Sequence, residues 1–184
     1  RLASARFTPG YRIVGVSLVA FGAQGFRRSA RQSLDECFSR KISDADWETF
    51  AQRLDYVPLA AGANVLREAV ERAEASFGGE CRRLHYLSVP PNAALPAVQL
   101  LGEARLVERS RIVMEKPFGT DLASSVSLNQ RLHEVFAEEQ IFRIDHFLGK
   151  EPALNILAFR FANGLFEPVW NRNMIDHVQI DVPE

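Results

Sequence analysis

The stretch Arg143-Ile144-Asp145-His146-Phe147-Leu148-Gly149-Lys150-Glu151 sets an acid, an imidazole and an ammonium within six positions, where a strand pattern gives way to a helix. Phe142 and Ile144 close an apolar strand, and Gly149 loosens the turn that follows. Lys150 then falls at a helix start, where unpaired backbone N–H groups and the helix dipole favour an anion. If the helical turn reaches back to His146, the two side chains stand at i and i+4 on one face, about 5–6 Å apart at Cβ. Two neighbouring donors there would seat a phosphate, with Asp145 beside them to orient a catalytic group. The same residues also suit a plain cap and a solvated first turn, so the stretch by itself leaves both readings open.

Working outward, strand and helix patterns alternate. Residues 11–17 form a strand rich in β-branched side chains, and a helix is predicted over 26–40. Ser43, with Asp46 three residues on, predicts the N-cap of a second helix reaching about residue 54. A short strand over 55–59 is cut by Pro58. A helix over 64–77 places Val65, Ala69, Val70, Ala73 and Phe77 at helical spacing and ends at Gly78-Gly79. Then come a strand over 83–89 closed by Pro90-Pro91, a helix over 93–101 and a strand over 111–114 ending in Glu115-Lys116-Pro117-Phe118-Gly119. Thr120 is expected to cap a long helix that turns Leu122, Val126, Leu132, Val135 and Phe136 to a core.

This alternation predicts an α/β fold with a parallel sheet covered by helices. After Lys150 the style changes to a helix reaching about residue 159, an aromatic loop through Trp170, and an alternating strand over 175–182 typical of an antiparallel sheet with one wet face. A domain boundary is therefore expected near Asp145, giving residues 1–144 and 145–184.

At 184 residues, 47% hydrophobic and 24% charged, the chain has the composition of a soluble globular protein. A net charge of −1 gives no case for nucleic-acid or membrane binding through the overall field. No apolar run approaches the ~20 residues that span a bilayer. Cys37 and Cys81 match no metal or redox spacing, so idle thiols in a reducing compartment and no metal are expected. Phe21-Gly22-Ala23-Gln24-Gly25-Phe26 has the look of a phosphate turn but lacks the three-glycine spacing.

The nonapeptide at 143–151 closely resembles the active-site signature of the glucose-6-phosphate dehydrogenase family, usually Arg-Ile-Asp-His-Tyr-Leu-Gly-Lys-Glu, and departs from it at Phe147. The resemblance runs from about Tyr11 to Glu184. It implies a Rossmann-like parallel sheet lacking its first strand and glycine-rich turn, followed by the start of an α+β antiparallel-sheet domain, so that the chain reads as an internal piece. It implies oxidation of glucose 6-phosphate at C1 with hydride passed to NADP, in the pentose phosphate pathway of the cytoplasm, by an enzyme that is a homo-oligomer at full length.

Residue by residue, the resemblance gives Asp145 the orienting of a base histidine that lies outside this chain. It gives His146 and Lys150 the phosphate, Lys116 both substrate and cofactor, and Glu184 the glucose hydroxyls. It makes Pro117 a cis-proline and puts Ser88, Pro90 and Pro91 along the nicotinamide half of the cofactor. Phe147 replaces a tyrosine whose hydroxyl meets the phosphate, which implies weaker substrate binding. Leu18 replaces the arginine that meets the 2′-phosphate of NADP, so NAD is also possible; Arg27, Arg28 and Arg31 are candidates to substitute. Glu-Lys-Pro also occurs in other sugar dehydrogenases. Such an enzyme, and an inactive relative acting as a binding or assembly protein, are the alternatives.

Overall fold

A computed structural model describes residues 10–37 and 41–181, without the side chain of Leu148. Strand β1 (Ile13–Ser17) leads into helix α1 (Ala23–Cys37), followed by α2 (Asp44–Ala51), β2 (Leu54–Pro58) and α3 (Gly62–Ala75). Strand β3 (Arg83–Leu87), helix α4 (Pro91–Glu103), strand β4 (Ser110–Glu115), helix α5 (Leu122–His133) and strand β5 (Ile141–Ile144) complete the α/β body. A 3₁₀ turn (His146–Gly149) and helix α6 (Glu151–Phe161) lead into irregular chain.

Among the described residues all strand pairings are parallel: β1 with β2, and β4 between β3 and β5. Parallel neighbours need a crossover, and α4 and α5 supply it in the second sheet. The expected single sheet lacking one strand takes the form of two sheets, because among the described residues β1 and β3 are not paired to each other. They are nonetheless unified by one core. Val57 of β2, Leu66 and Ala69 of α3, Val98 and Leu101 of α4, Ile112 and Met114 of β4, and Leu128, Leu132 and Phe136 beyond them pack together.

Alternation decides which side of the second sheet is wet. Ile112, Met114 and Ile141 face the core, whereas Leu84, Tyr86 and Phe142 lie exposed on the other face. Ser43 caps α2 as expected, its side chain accepting from the backbone N–H of Asp46. Helix α5 is capped by Asp121 and not by Thr120. Asp121 accepts from Ser124 N–H at 2.7 Å while the Ser124 hydroxyl receives Asp121 N–H at 3.0 Å, a reciprocal box that Thr120 does not form. That start turns Leu128, Leu132 and Phe136 inward, at i, i+4 and i+8, and leaves Leu122 81% exposed.

The strand expected over 175–182 does not form among the described residues. Residues 175–181 have no strand to pair with, and an extended segment without a hydrogen-bonded neighbour is not a sheet strand; Val182 lies outside the described residues. No described helix is long and apolar enough to cross a membrane.

Candidate active site

Strands β4 and β5 end side by side, with Glu115 opposite Ile144 in the register. The next residue of each, Lys116 and Asp145, therefore meet, and Lys116 Nζ lies 3.8 Å from Asp145 Oδ2. The Lys116–Pro117 bond is cis, as the family resemblance implies. Gly119 then takes φ +130°, and a Cβ there would come within 2.7 Å of Ser125 N, so only glycine lets the chain pass from the strand end into α5. Asp145 also holds its own turn, since its Oδ1 accepts from Phe147 N–H at 2.9 Å and caps the 3₁₀ segment.

His146 stands over the end of β4, its Nε2 4.0 Å from Glu115 Oε2. The other oxygen of Glu115 accepts a short hydrogen bond from the Tyr86 hydroxyl of β3. That carboxylate raises the Tyr86 pKa, because it accepts the phenolic proton and opposes a second negative charge. No motif in the sequence points to Tyr86 or gives Glu115 a role. Their signal is only that both sit on the wet face of adjacent strands, and it requires knowing the register.

The expected i, i+4 pairing of His146 with Lys150 is not what the backbone gives. The turn at His146–Gly149 is 3₁₀, and Lys150 is extended (φ −75°, ψ 135°) as the residue before α6. The helix breaks because Pro152, in the first turn of α6, has no N–H to continue the preceding turn. Lys150 instead extends its ammonium over the Phe147 ring, 5.8 Å from the centroid. Among the described residues no contact links it to His146. Four residues thus converge at the strand ends (Glu115, Lys116, Asp145 and His146), with Lys150 held on the next turn.

Ser88 follows β3 directly, one residue beyond the Leu87–Met114 pair, and Pro90 with Pro91 opens α4 at the same end of the sheet. Both Ser88 and Pro90 are exposed. Ligands of open parallel sheets lie at these carboxyl ends, and the exposed serine hydroxyl and the Lys116 ammonium both stand there. The carboxyl end of β1 is different. Leu18, just past β1, is 84% exposed. Arg27 donates to the carbonyl of Leu54 at the opposite, N-terminal end of β2. Arg31 is held by Asp35, Asp44 and the Trp47 ring. These two guanidiniums are engaged as structural cross-links away from Leu18. Glu184 lies outside the described residues.

None of the four histidines meets Asp145. His85 is packed in the body with Nε2 2.9 Å from Leu106 O. His133 sits at Glu138, His177 pairs with Asp176, and His146 faces Glu115.

Residues 2–155 match the model of the glucose-6-phosphate dehydrogenase NAD-binding domain, and residues 157–184 match that of its C-terminal domain. The chain is 42% identical to glucose-6-phosphate 1-dehydrogenase of Rhizobium meliloti, over 97% of this chain and 37% of that protein. It is 38% identical to glucose-6-phosphate 1-dehydrogenase 1 of Mycobacterium tuberculosis, over 94% of this chain and 36% of that protein. A solved glucose-6-phosphate dehydrogenase in complex with its substrate glucose-6-phosphate superposes with a TM-score of 0.74 at 30% identity, over 88% of this chain and 35% of that one. The chain thus spans little more than a third of the length of these relatives. On the extent of the match and the shared fold, the chain belongs to the glucose-6-phosphate dehydrogenase family.

Proposed function

We propose that this chain carries the phosphate and nicotinamide side of a dehydrogenase that oxidises glucose 6-phosphate at C1 to the lactone. The observation that carries the reading is the convergence of Lys116, Asp145 and His146 on two adjacent strand ends, beside a cis-proline. His146 and Lys150 bind the 6-phosphate, each through a charge-assisted hydrogen bond of ~1.5–3 kcal/mol. Phe147 cannot add a hydroxyl to that set, but its ring keeps the Lys150 ammonium at the turn. Lys116 exchanges Asp145 for a sugar hydroxyl when substrate arrives. Asp145 is then available to orient the histidine base that takes the C1 hydroxyl proton, which we place outside these residues. Glu184 contacts the glucose hydroxyls. Ser88, Pro90 and Lys116 hold the nicotinamide ring, which receives the hydride.

NADP is the cofactor of the proposed enzyme, with NAD accepted as well. The exposed Leu18 and the engagement of Arg27 and Arg31 elsewhere favour that second cofactor. We place the domain change at Asp145, and the full-length protein in the cytoplasm as a homo-oligomer serving the pentose phosphate pathway.

Calorimetric titration of the chain with glucose 6-phosphate tests the reading. Binding is expected, and His146→Ala and Lys150→Ala should each weaken it by about 10- to 100-fold, the equivalent of one charge-assisted bond. Turnover by these 184 residues with NADP or NAD should be negligible for want of the base. Equal affinity in the unmodified chain and both variants would refute the assignment.

A further inference from the structure

Consecutive residues at the two strand ends meet with their charges crossed: Lys116 with Asp145, and Glu115 with His146. The first pair involves groups already given roles. The second leaves a carboxylate at a phosphate seat, where it would repel the ligand unless a cation stands between them. Its geometry supplies that arrangement. Glu115 is only 27% exposed in its side chain, one oxygen is fixed by the Tyr86 hydroxyl, and the other faces His146 Nε2 at 4.0 Å, within ion-pair distance and just beyond that of a hydrogen bond. His146 itself is 69% exposed and would otherwise be free to rotate. In an imidazole, the hydrogen bond made by one nitrogen decides what the other can do.

We propose that Glu115, held by Tyr86, is a positioning residue for the substrate phosphate: when phosphate binds, the 4.0 Å gap between Glu115 Oε2 and His146 Nε2 closes to a hydrogen bond that takes the Nε2 proton and leaves Nδ1 as the nitrogen that meets the phosphate. Donation to both partners requires the imidazolium, with the carboxylate behind it and the phosphate in front. The proposal rests on His146 being a phosphate ligand. It adds a selection that His146 alone does not have, because a neutral sugar gains nothing from a polarised imidazolium. Glu115 therefore discriminates glucose 6-phosphate from glucose without touching either.

The test uses the 184-residue chain and its Glu115→Gln, Glu115→Asp and Tyr86→Phe variants. Each is titrated calorimetrically with glucose 6-phosphate and with glucose, and the ring nitrogens of the histidines are followed by long-range ¹H–¹⁵N NMR. Glutamine can either accept from Nε2 or donate to it, so Glu115→Gln should no longer fix the His146 ring, and affinity for glucose 6-phosphate should fall about tenfold. Tyr86→Phe should lower it about threefold, and Glu115→Asp should recover part of the loss. The packed ring of His85, on the opposite face of β3, should not move in any variant, which shows that the body is intact. Unmodified chain that binds glucose 6-phosphate while Glu115→Gln binds it equally well overturns this inference and leaves the phosphate site standing. Weaker binding with an unaltered His146 ring overturns it too, since Glu115 would then act by another route. Failure of the unmodified chain to bind glucose 6-phosphate removes the phosphate site and this inference together.

Discussion

Up to Asp145 the chain builds a body, and from His146 onward it builds an arm. In the body, Val98, Ile112, Leu132 and Phe136 are almost wholly withdrawn from solvent. Among the described residues none after Ile141 is buried, although the arm contains Leu154, Ile156, Leu157, Phe159, Phe161 and Phe166. Apolar content is therefore not what separates the two. The body's apolar residues recur at spacings that face them onto sheets, whereas those of α6 occupy every side of one helix, with Phe159 stacked on Phe166 and Trp170. An apolar residue stabilises a fold only through the area it removes from water.

The sharpest way to break this contrast is to truncate equal side chains in the two regions. Ile112→Ala, at the centre of β4, should cost about 2–5 kcal/mol through lost burial and the cavity left behind, and Phe136→Ala about 3–5 kcal/mol. Leu154→Ala in α6, half exposed, should stay within roughly 0.5 kcal/mol of the unmodified chain. Chemical denaturation of the three variants would measure this, and a Leu154 effect as large as that of Ile112 would show the arm to be packed.

A smaller effect is expected at the joint between sheet and site. Gly119→Ala forces a β-carbon onto Ser125 N at φ +130° and should cost of order 1–3 kcal/mol. Because Gly119 follows Lys116 and Pro117, affinity for glucose 6-phosphate should fall as well. Gly164→Ala in the arm, where an added Cβ meets nothing within 4 Å, should change neither quantity.

The contrast also explains which features could be read from the sequence. Local signals held in the body: Ser43 with Asp46 marked a helix start, and strand followed helix in the expected order, whereas the cis bond before Pro117 was legible only through the family resemblance. Features that depend on neighbours did not. Thr120 and Asp121 are both competent caps and both give their N–H to the Ser124 hydroxyl, but it is the Asp121 carboxylate that accepts the Ser124 N–H in return. Residues 175–181 alternate as a strand should, yet pairing is a property of two segments. The separation of His146 from Lys150 turned on Pro152, which allows a helix to begin beside it but not to pass through. The crossed pairs at Glu115-Lys116 and Asp145-His146 needed the register of β4 with β5, which no single stretch contains.

The two tryptophans divide between the regions, Trp47 in α2 and Trp170 in the arm against Phe159. Trp170→Phe leaves a reporter of the body and Trp47→Phe a reporter of the arm. In denaturant the arm signal should change first, over a broad range, and the body signal later in one cooperative step, because local opening precedes global unfolding where little is buried. Coincident transitions would join arm and body into one unit.

The smallest expected effect is a pH dependence that belongs to the body. Burial lowers the pKa of His85, although its hydrogen bond to the Leu106 carbonyl partly opposes that shift. A base with a lowered native pKa binds fewer protons folded than unfolded. Its contribution is complete above the unfolded value of about 6.5 and is lost as pH falls through the native one. Glu138 and Asp121 act lower on the scale. Hydrogen bonds from Arg143 and then His133 lower the first, and those from Ser124 lower the second. A carboxylate so depressed stabilises above its unfolded value of about 4 and loses that contribution as pH falls through the native value. Melting followed by Trp47 in the Trp170→Phe chain should therefore decline in two acid steps. His85→Gln should flatten the upper step, and Glu138→Gln should shrink the lower step and leave the upper one intact. A single step unaffected by His85→Gln would mean that the ring gains its proton without opening the core, which the packing of His85 against Phe136 argues against.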